Sequence, residues 1–380
     1  MRAKFSFLFK SDRPMSDLIS IDGAEGEGGG QIVRSALTLA MVTGRAFEIY
    51  NIRGNRARPG LLKQHLTAVK ASREICGGGV SGAKLGSSEF IFAPGPIECR
   101  DFQFDVGSAG STSLVAQTLI PALMSAKAPS SIQVTGGTHN RAAPPYHFLE
   151  YVYLPLLNRM GGQISARLDR WGFYPRGDGH LQIDIQPAAQ LTGLQLKDWD
   201  TPIVGEVIAV VSGLSQSIAE RECEFIRRKS GWPRRQCQIW NVQNSAGPGN
   251  VVMIRFSRHG SSKPGSREQV SCELFTAFGR KGVPAEKVAE EAWQQAQQFL
   301  RERVPVGEHL CDQLLLPLSL AAWQGEPSEF VTGTISQHSL TQIELIPRFL
   351  GIEIRLTPID LTRNQIQILP LSRRQSHLGR

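Results

Sequence analysis

A chain of 380 residues and 41.7 kDa has length for roughly two to three folding units at about 150 residues each, and buries enough surface to need neither a disulfide nor a metal staple. Its 42 Lys and Arg against 34 Asp and Glu give a formal charge of +8, which favours an anionic partner such as a nucleic acid or nucleotide. With 41% hydrophobic and 20% charged residues the chain is not disordered, and its 38 Gly and 22 Pro do not make it collagen-like.

Met1–Lys10 is basic, but its apolar patch, Phe5–Phe9, is shorter than the roughly 7–15 residues of a signal peptide core. No apolar run approaches the roughly 18 residues of a membrane helix, so no membrane is expected as a partner. Cys76, Cys99, Cys223, Cys237, Cys272 and Cys311 contain no CxxC spacing, which speaks against a zinc site or disulfide framework and for a reducing cytoplasm.

Met15 leads directly into a strand, Leu18–Ile21, so residues 1–17 read as an extension. The glycine-rich stretch Asp22–Gln31 then opens a helix, Gln31–Thr43, and a strand follows at Ile49–Ile52. A helix over Pro59–Ile75 has proline in its first turn and Gly77–Gly79 at its end. Gln103–Val106, Ser131–Thr135 and Leu181–Ile185 read as strands, and Tyr146–Met160 as a helix. The segment 199–291 has another texture: a helix candidate at Val204–Ile218, a basic cluster from Arg227 to Arg235, strands at Gln238–Val242 and Val251–Phe256, and a loop over His259–Arg267. It reads as an inserted α/β domain. The stretch from Ile366, with Arg373, Arg374, His377 and Arg380, lacks periodicity and reads as a mobile basic tail over 366–380.

Gln31, Gln117 and Gln313 each stand in similar apolar helical runs after glycine-containing stretches, at spacings of 86 and 196 positions. As a repeat this implies three units with one insertion, or four units with one divergent.

Chemistry concentrates between these elements. Asp22–Gln31 lets a backbone approach phosphate, yet it is neither a GxGxxG nor a GxxxxGK[ST] motif. Arg53, Arg56 and Arg58 lie within six residues after a strand, with Gln64 and His65 following on the next helix and Arg34 one turn into the preceding one. Guanidinium forks match phosphate oxygens, so this group is a candidate polyanion site. Gly107–Ser113 is a second glycine-serine loop, with the sequence of an ordinary helix cap. Gly136–Pro145 is a rigid loop that could close over a ligand. His338 precedes a helix beginning near Leu340; a neutral imidazole is a competent nucleophile near pH 7.

Together these pieces resemble the RNA 3′-terminal phosphate cyclase family. The motifs are Asp22–Arg34, Arg58–His65, Gly107–Leu119, Gly136–Asn140 with Ala143–Pro145, Gly172–Pro175, Glu308–Pro317 and His338, in family order over nearly the whole chain. The resemblance implies an α+β fold of three repeated units, each a four-stranded sheet with two helices as in an initiation-factor C-terminal domain, plus one smaller inserted α/β domain. It places the core at 18–198 and 292–365, around the insertion at 199–291. It implies ATP-dependent conversion of an RNA 3′-terminal phosphate to a 2′,3′-cyclic phosphodiester, with Mg2+ or Mn2+ as cofactor. His338 would carry AMP, and Glu27 would lie at the metal. Arg34, Arg53, Arg56, Gln64 and His65 would hold phosphates of ATP or of the RNA end. Gln117, His309, Leu310, Cys311, Asp312 and Gln313 would bind ATP. Two features depart from the family pattern: Asp178 interrupts a glycine run between Gly177 and Gly179, and Trp323–Glu329 reads as an added loop before the nucleophile. The alternative is a non-catalytic cyclase-like protein of ribosome assembly, which lacks the histidine. An enolpyruvyl transferase of similar units is a more distant rival. No aromatic ladder for base stacking is evident, so recognition of the RNA end and not of its sequence is expected. Protein partners are not legible.

Overall fold

Ile19 and Ile21 point inward from strand β1 (Ile19–Asp22), and Phe47 and Ile49 do the same from β2 (Phe47–Tyr50), which lies parallel to it. Between them runs helix α1 (Gln31–Thr43), stopped by Gly44, whose φ of 70° suits glycine and whose N–H closes on the Ala40 carbonyl. Helix α2 (Lys63–Ile75) and the antiparallel strands β3 (Gly79–Ser81) and β4 (Phe90–Ala93) complete a sheet of order β1-β2-β4-β3. The computed structural model describes residues 18–371 apart from 142, 198, 200–201 and 261–267. The expected extension over 1–17, the loop residues 261–267 and the tail from 372 onward therefore lie outside the described residues.

The next stretch repeats that order of connection. It comprises β5 (Asp101–Asp105), α3 (Thr112–Met124), β6 (Ser130–Gly136), α4, β7 (Gln163–Arg170) and β8 (Gly179–Gln186), in a sheet β5-β6-β8-β7. Here α4 is built of Tyr146–Phe148, a π-helical turn Leu149–Tyr153 and Leu154–Arg159. A third sheet starts at β9 (Gln195–Leu196) and resumes only with α7 (Glu308–Trp323), β14 (Ser328–Thr332), α8 (Gln337–Phe349), β15 (Ile352–Pro358) and β16 (Asn364–Pro370). Its order, β9-β14-β16-β15, has the same parallel first pair and antiparallel remainder.

Between β9 and α7 lies a fourth sheet, β11-β10-β12-β13. Its strands are β10 (Ile203–Ser212), β11 (Cys237–Asn241), β12 (Gly249–Gly260) and β13 (Glu268–Phe278), with helices α5 (Gln216–Ser230) and α6 (Ala285–Glu302). The helix expected at Val204–Ile218 is therefore mostly strand. Val207, Ala209 and Val211 pack in one apolar cluster with Ile226 and Trp293, whereas Ile208 and Val210 join the large cluster of the other three sheets. A strand buried on both faces is apolar at successive positions, so its period of two cannot be seen in the sequence.

Two other differences have simple causes. The last strand runs to Pro370, beyond Ile366, because Ile366 and Ile368 alternate inward between glutamines and are fully buried. Trp323 ends α7 and Ser328 begins β14, so the expected loop is a short helix-to-strand turn. Asp178 adopts the left-handed φ of 57° that glycine favours, and its carboxylate meets Arg170 at 2.7 Å. Helices α1, α3 and α7 are buried nearly all round and occupy the middle of the molecule.

Candidate active site

Asp22 bends the glycine-rich stretch by accepting the Ala24 N–H at 2.9 Å, and Gly26 and Gly28 continue it with φ of 59° each. Gly30 then begins α1 with no side chain capping its first amides. A side chain there has no room: a Cβ on Gly30 would lie 2.1 Å from His65 Nε2. His65 Nδ1 accepts the Leu62 N–H at 3.2 Å, so the ring's proton sits on Nε2, facing the glycine stretch. Burial, reinforced by Arg34 and Arg53, pushes the His65 pKa down to about 3 and keeps it neutral. The same turn of α2 holds the second glycine-serine loop: Gln64 Oε1 accepts the Ser111 N–H at 3.0 Å, and Lys63 Nζ donates to the Gly107 carbonyl at 2.9 Å.

Across the glycine stretch stands the first turn of α8, capped by Ser336. Thr341 Oγ1 accepts the Glu27 N–H at 3.3 Å, which ties the two segments together over more than three hundred residues of chain. Glu27 Oε2 lies 3.4 Å from His338 Nδ1, and its other carboxylate oxygen meets Arg56. Glu27 Oε2 and His338 Nδ1 are both buried without a hydrogen-bond partner, so they face one another unsatisfied. The His338 pKa is pushed down to about 4, chiefly by burial and then by Arg34, Arg56 and His309. Its ring is therefore neutral at physiological pH, with a lone pair available.

Beneath this pair the three glutamines converge. Gln31, Gln117 and Gln313 line one cavity with Arg34, Asp312 and Gln342. Arg34 Nη2 donates to Gln31 Oε1 at 3.2 Å, and burial lowers its pKa to about 10 against the opposing pull of Asp312. Asp312 accepts from Ser339 Oγ at 2.6 Å and from Ser336 Oγ; burial still raises its pKa. Gln342 Nε2 donates to the Asp312 carbonyl at 2.6 Å, while Ser35 donates to the Gln342 oxygen at 3.4 Å.

The residues singled out from sequence fall into three groups. Glu27, Arg34, Arg56, His65, Gln117, Asp312, Gln313 and His338 gather around the glycine stretch and the cavity below it. Leu310 and Cys311 have fully buried side chains that seat α7, and His309 projects beside them, exposed. Arg53 turns back on its own loop, donating to the Arg58 carbonyl at 3.1 Å, and Gln64 is engaged by Ser111. Thr341, Gln342, Ser336 and Ser339 were missed. The spacing from His338 would have found two of them, because Thr341 and Gln342 stand three and four residues on, on the same helix face.

Among the described residues no group of three or more His, Cys, Asp or Glu is placed to hold a metal by protein alone. The unsatisfied carboxylate oxygen of Glu27 instead suits a cation shared with phosphates, the usual way Mg2+ is held.

The description "RNA 3′-terminal phosphate cyclase" belongs to the family model that matches residues 25–356. The chain belongs to the RNA 3′-terminal phosphate cyclase family. It is 45% identical over 343 residues to the RNA 3′-terminal phosphate cyclase of Koribacter versatilis, covering 90% of this chain and 92% of that protein. The Pseudomonas fluorescens protein of the same name is 42% identical over 356 residues, 94% and 99% of the two chains, and that of Salmonella agona is 43% identical over 357. With such relatives over most of its length, the chain is an enzyme of this family. A solved enolpyruvyl transferase, NikO from Streptomyces tendae, aligns over 94% of this chain and 49% of its own at 10% identity, with a TM-score of 0.35, too low to show a common fold. Among the described residues no helix is long and apolar enough to cross a membrane.

Proposed function

We propose that the chain converts an RNA 3′-terminal phosphate into a 2′,3′-cyclic phosphodiester at the expense of ATP, through an AMP carried on His338. The observation that carries this reading is the neutral imidazole of His338 beside Glu27, at the meeting of an uncapped helix start, Arg34 and Arg56. With Nδ1 turned to Glu27, Nε2 is the nitrogen free to attack the α-phosphorus, forming the N–P bond as pyrophosphate leaves. AMP then passes to the RNA 3′-phosphate, giving RNA(3′)pp(5′)A and regenerating the imidazole. The adjacent 2′-hydroxyl closes the ring by displacing AMP, a step that gains from proximity and needs mainly orientation and charge neutralisation.

Arg34 and Arg56 neutralise phosphate charge, and Gln117, Asp312, Gln313 and the exposed His309 contact the nucleotide. Glu27 would hold Mg2+ or Mn2+, which when bound offsets charge on the departing pyrophosphate. We further read the three like-connected sheets as three copies of one unit, with the body from β10 to α6 inserted between β9 and α7. The six cysteines are free thiols, which suits a reducing cytoplasm. Incubation with α-labelled ATP tests the chemistry: acid-labile, alkali-stable label should stay on the wild-type protein and be absent from His338→Ala. Label retained by that variant would refute the role of His338.

A further inference from the structure

The turn Phe173–Gly177 lies outside the site just described, yet it is built as a rigid platform. The Gly177 N–H closes it on the Phe173 carbonyl at 2.7 Å. On one side Gly177, with φ of 69°, presses so near the second glycine-serine loop that a Cβ on it would lie 2.7 Å from Ala109 Cα. On the other side Phe173 is buried under Gly249 of the fourth sheet, and Trp171 N–H donates to the Asn244 carbonyl at 2.9 Å. At the tip of this clamped turn Tyr174 is 78% exposed, among the most exposed large side chains in the described residues. Arg176 stands two residues on and lines a cleft of about 240 Å3 with Gly107, Ser108, Asp105 and Asp178. Both carboxylates there are engaged, Asp178 by Arg170 and Asp105 by the Gly107 N–H, and among the described residues no carboxylate pairs with Arg176.

An exposed aromatic side chain on a clamped turn, two residues from an unpaired guanidinium, offers the two groups by which proteins take a base and its phosphate from a single strand. The position fits as well. Gly107 and Ser108, which line the cleft, begin the loop whose far end at Ser111 is fixed by Gln64, the neighbour of the His65 that faces the glycine stretch. We propose that this cleft is a subsite for the nucleotide preceding the RNA 3′ end, Tyr174 stacking its base and Arg176 holding its phosphodiester. The proposal rests on the RNA-end reading above and adds to it a second point of grip. Stacking tolerates any base, so the subsite gives affinity without sequence choice.

Binding of a 5′-fluorescent RNA octamer ending in a 3′-phosphate, followed by anisotropy without ATP, tests it in Tyr174→Ala, Tyr174→Phe and Arg176→Ala. Tyr174→Ala should weaken binding about tenfold, within the range for loss of one stacked base, and Tyr174→Phe should bind as wild type. Arg176→Ala should weaken binding and reduce the log–log salt slope by about 0.7. All three should take up label from α-labelled ATP at the wild-type rate, which shows the fold intact. Wild-type affinity in both alanine variants would overturn the subsite. Failure of the wild-type protein to label would instead overturn the adenylylation chemistry, while the anisotropy series would still decide the subsite.

Discussion

Replacing Gly30 by Ala probes the closest approach in the site. The backbone there, φ −81° and ψ −10°, accepts alanine without strain, so only the added methyl acts. That Cβ would lie 2.1 Å from His65 Nε2, 2.8 Å from its Cδ2 and 2.9 Å from its Cε1. Ordinary contact begins near 3.4 Å, so the ring must retreat by about 1.3 Å, although it is buried and tethered through Nδ1 to the Leu62 N–H. Overpacking of this kind costs about 1–3 kcal/mol, and a displacement near 1 Å at a residue lining the proposed active site costs about a hundredfold in rate. Urea unfolding and the rate of label uptake from α-labelled ATP should show both losses in Gly30→Ala. In a His65→Ala background the same methyl meets no ring, and its further cost in stability should fall below about 0.5 kcal/mol. Wild-type stability and rate in the single variant, or an equal stability loss in both backgrounds, would refute the steric account.

The His338 pKa near 4 means that its imidazole stays neutral well below pH 7. The single-turnover adenylylation rate should therefore stay level from pH 8 to 6, whereas an unperturbed histidine with pKa about 6.5 would lose about fourfold between pH 7.5 and 6. Gln342→Ala removes the 2.6 Å donation to the Asp312 carbonyl and leaves that group without this partner in a buried setting, so unfolding in urea should show a loss of about 1–3 kcal/mol. Burial raises the pKa of Glu222 and of Glu273 to about 8, so the fold binds more protons than the unfolded chain at those groups and gains stability as pH falls below 8. His65 and His147, held near 3, and His338, near 4, act oppositely and lose stability as pH falls below about 6.5. Thermal midpoints should thus peak near pH ~6.5, and Glu222→Gln with Glu273→Gln should flatten the alkaline side of that curve.

The sequence was most readable where local chemistry and tertiary role agree. Gln31–Thr43 announces itself by a glycine entry and a glycine stop, and Gln31, Gln117 and Gln313 could be matched because each stands in a similar apolar run. The candidate site was legible as a set of motifs and not as a geometry. Nothing local tells that Glu27 of one loop would face His338 of another, since that contact is set by the packing of α8 beside α1. Strand β10 was misread because burial on two sides erases alternation, and Asp178 was flagged for a conformation that its pairing with Arg170 accommodates. Supporting groups such as Ser336, Ser339 and Gln342 carry no motif; their role comes from surrounding one buried residue, Asp312, the two serines at its carboxylate and Gln342 at its backbone carbonyl.

The sheet β11-β10-β12-β13 is greasy on both sides, with Val207 and Ala209 beneath its own helices and Ile208, Val210, Val251 and Met253 against the remainder of the molecule. Such a piece cannot be cut away as a detachable module. Excision would strip the cover from an oily wall on the parent molecule and leave its counterpart equally bare, so each half would clump on its own. A linker grafted from β9 to α7 would need compensating polar replacements along that wall before a shortened version stayed in solution.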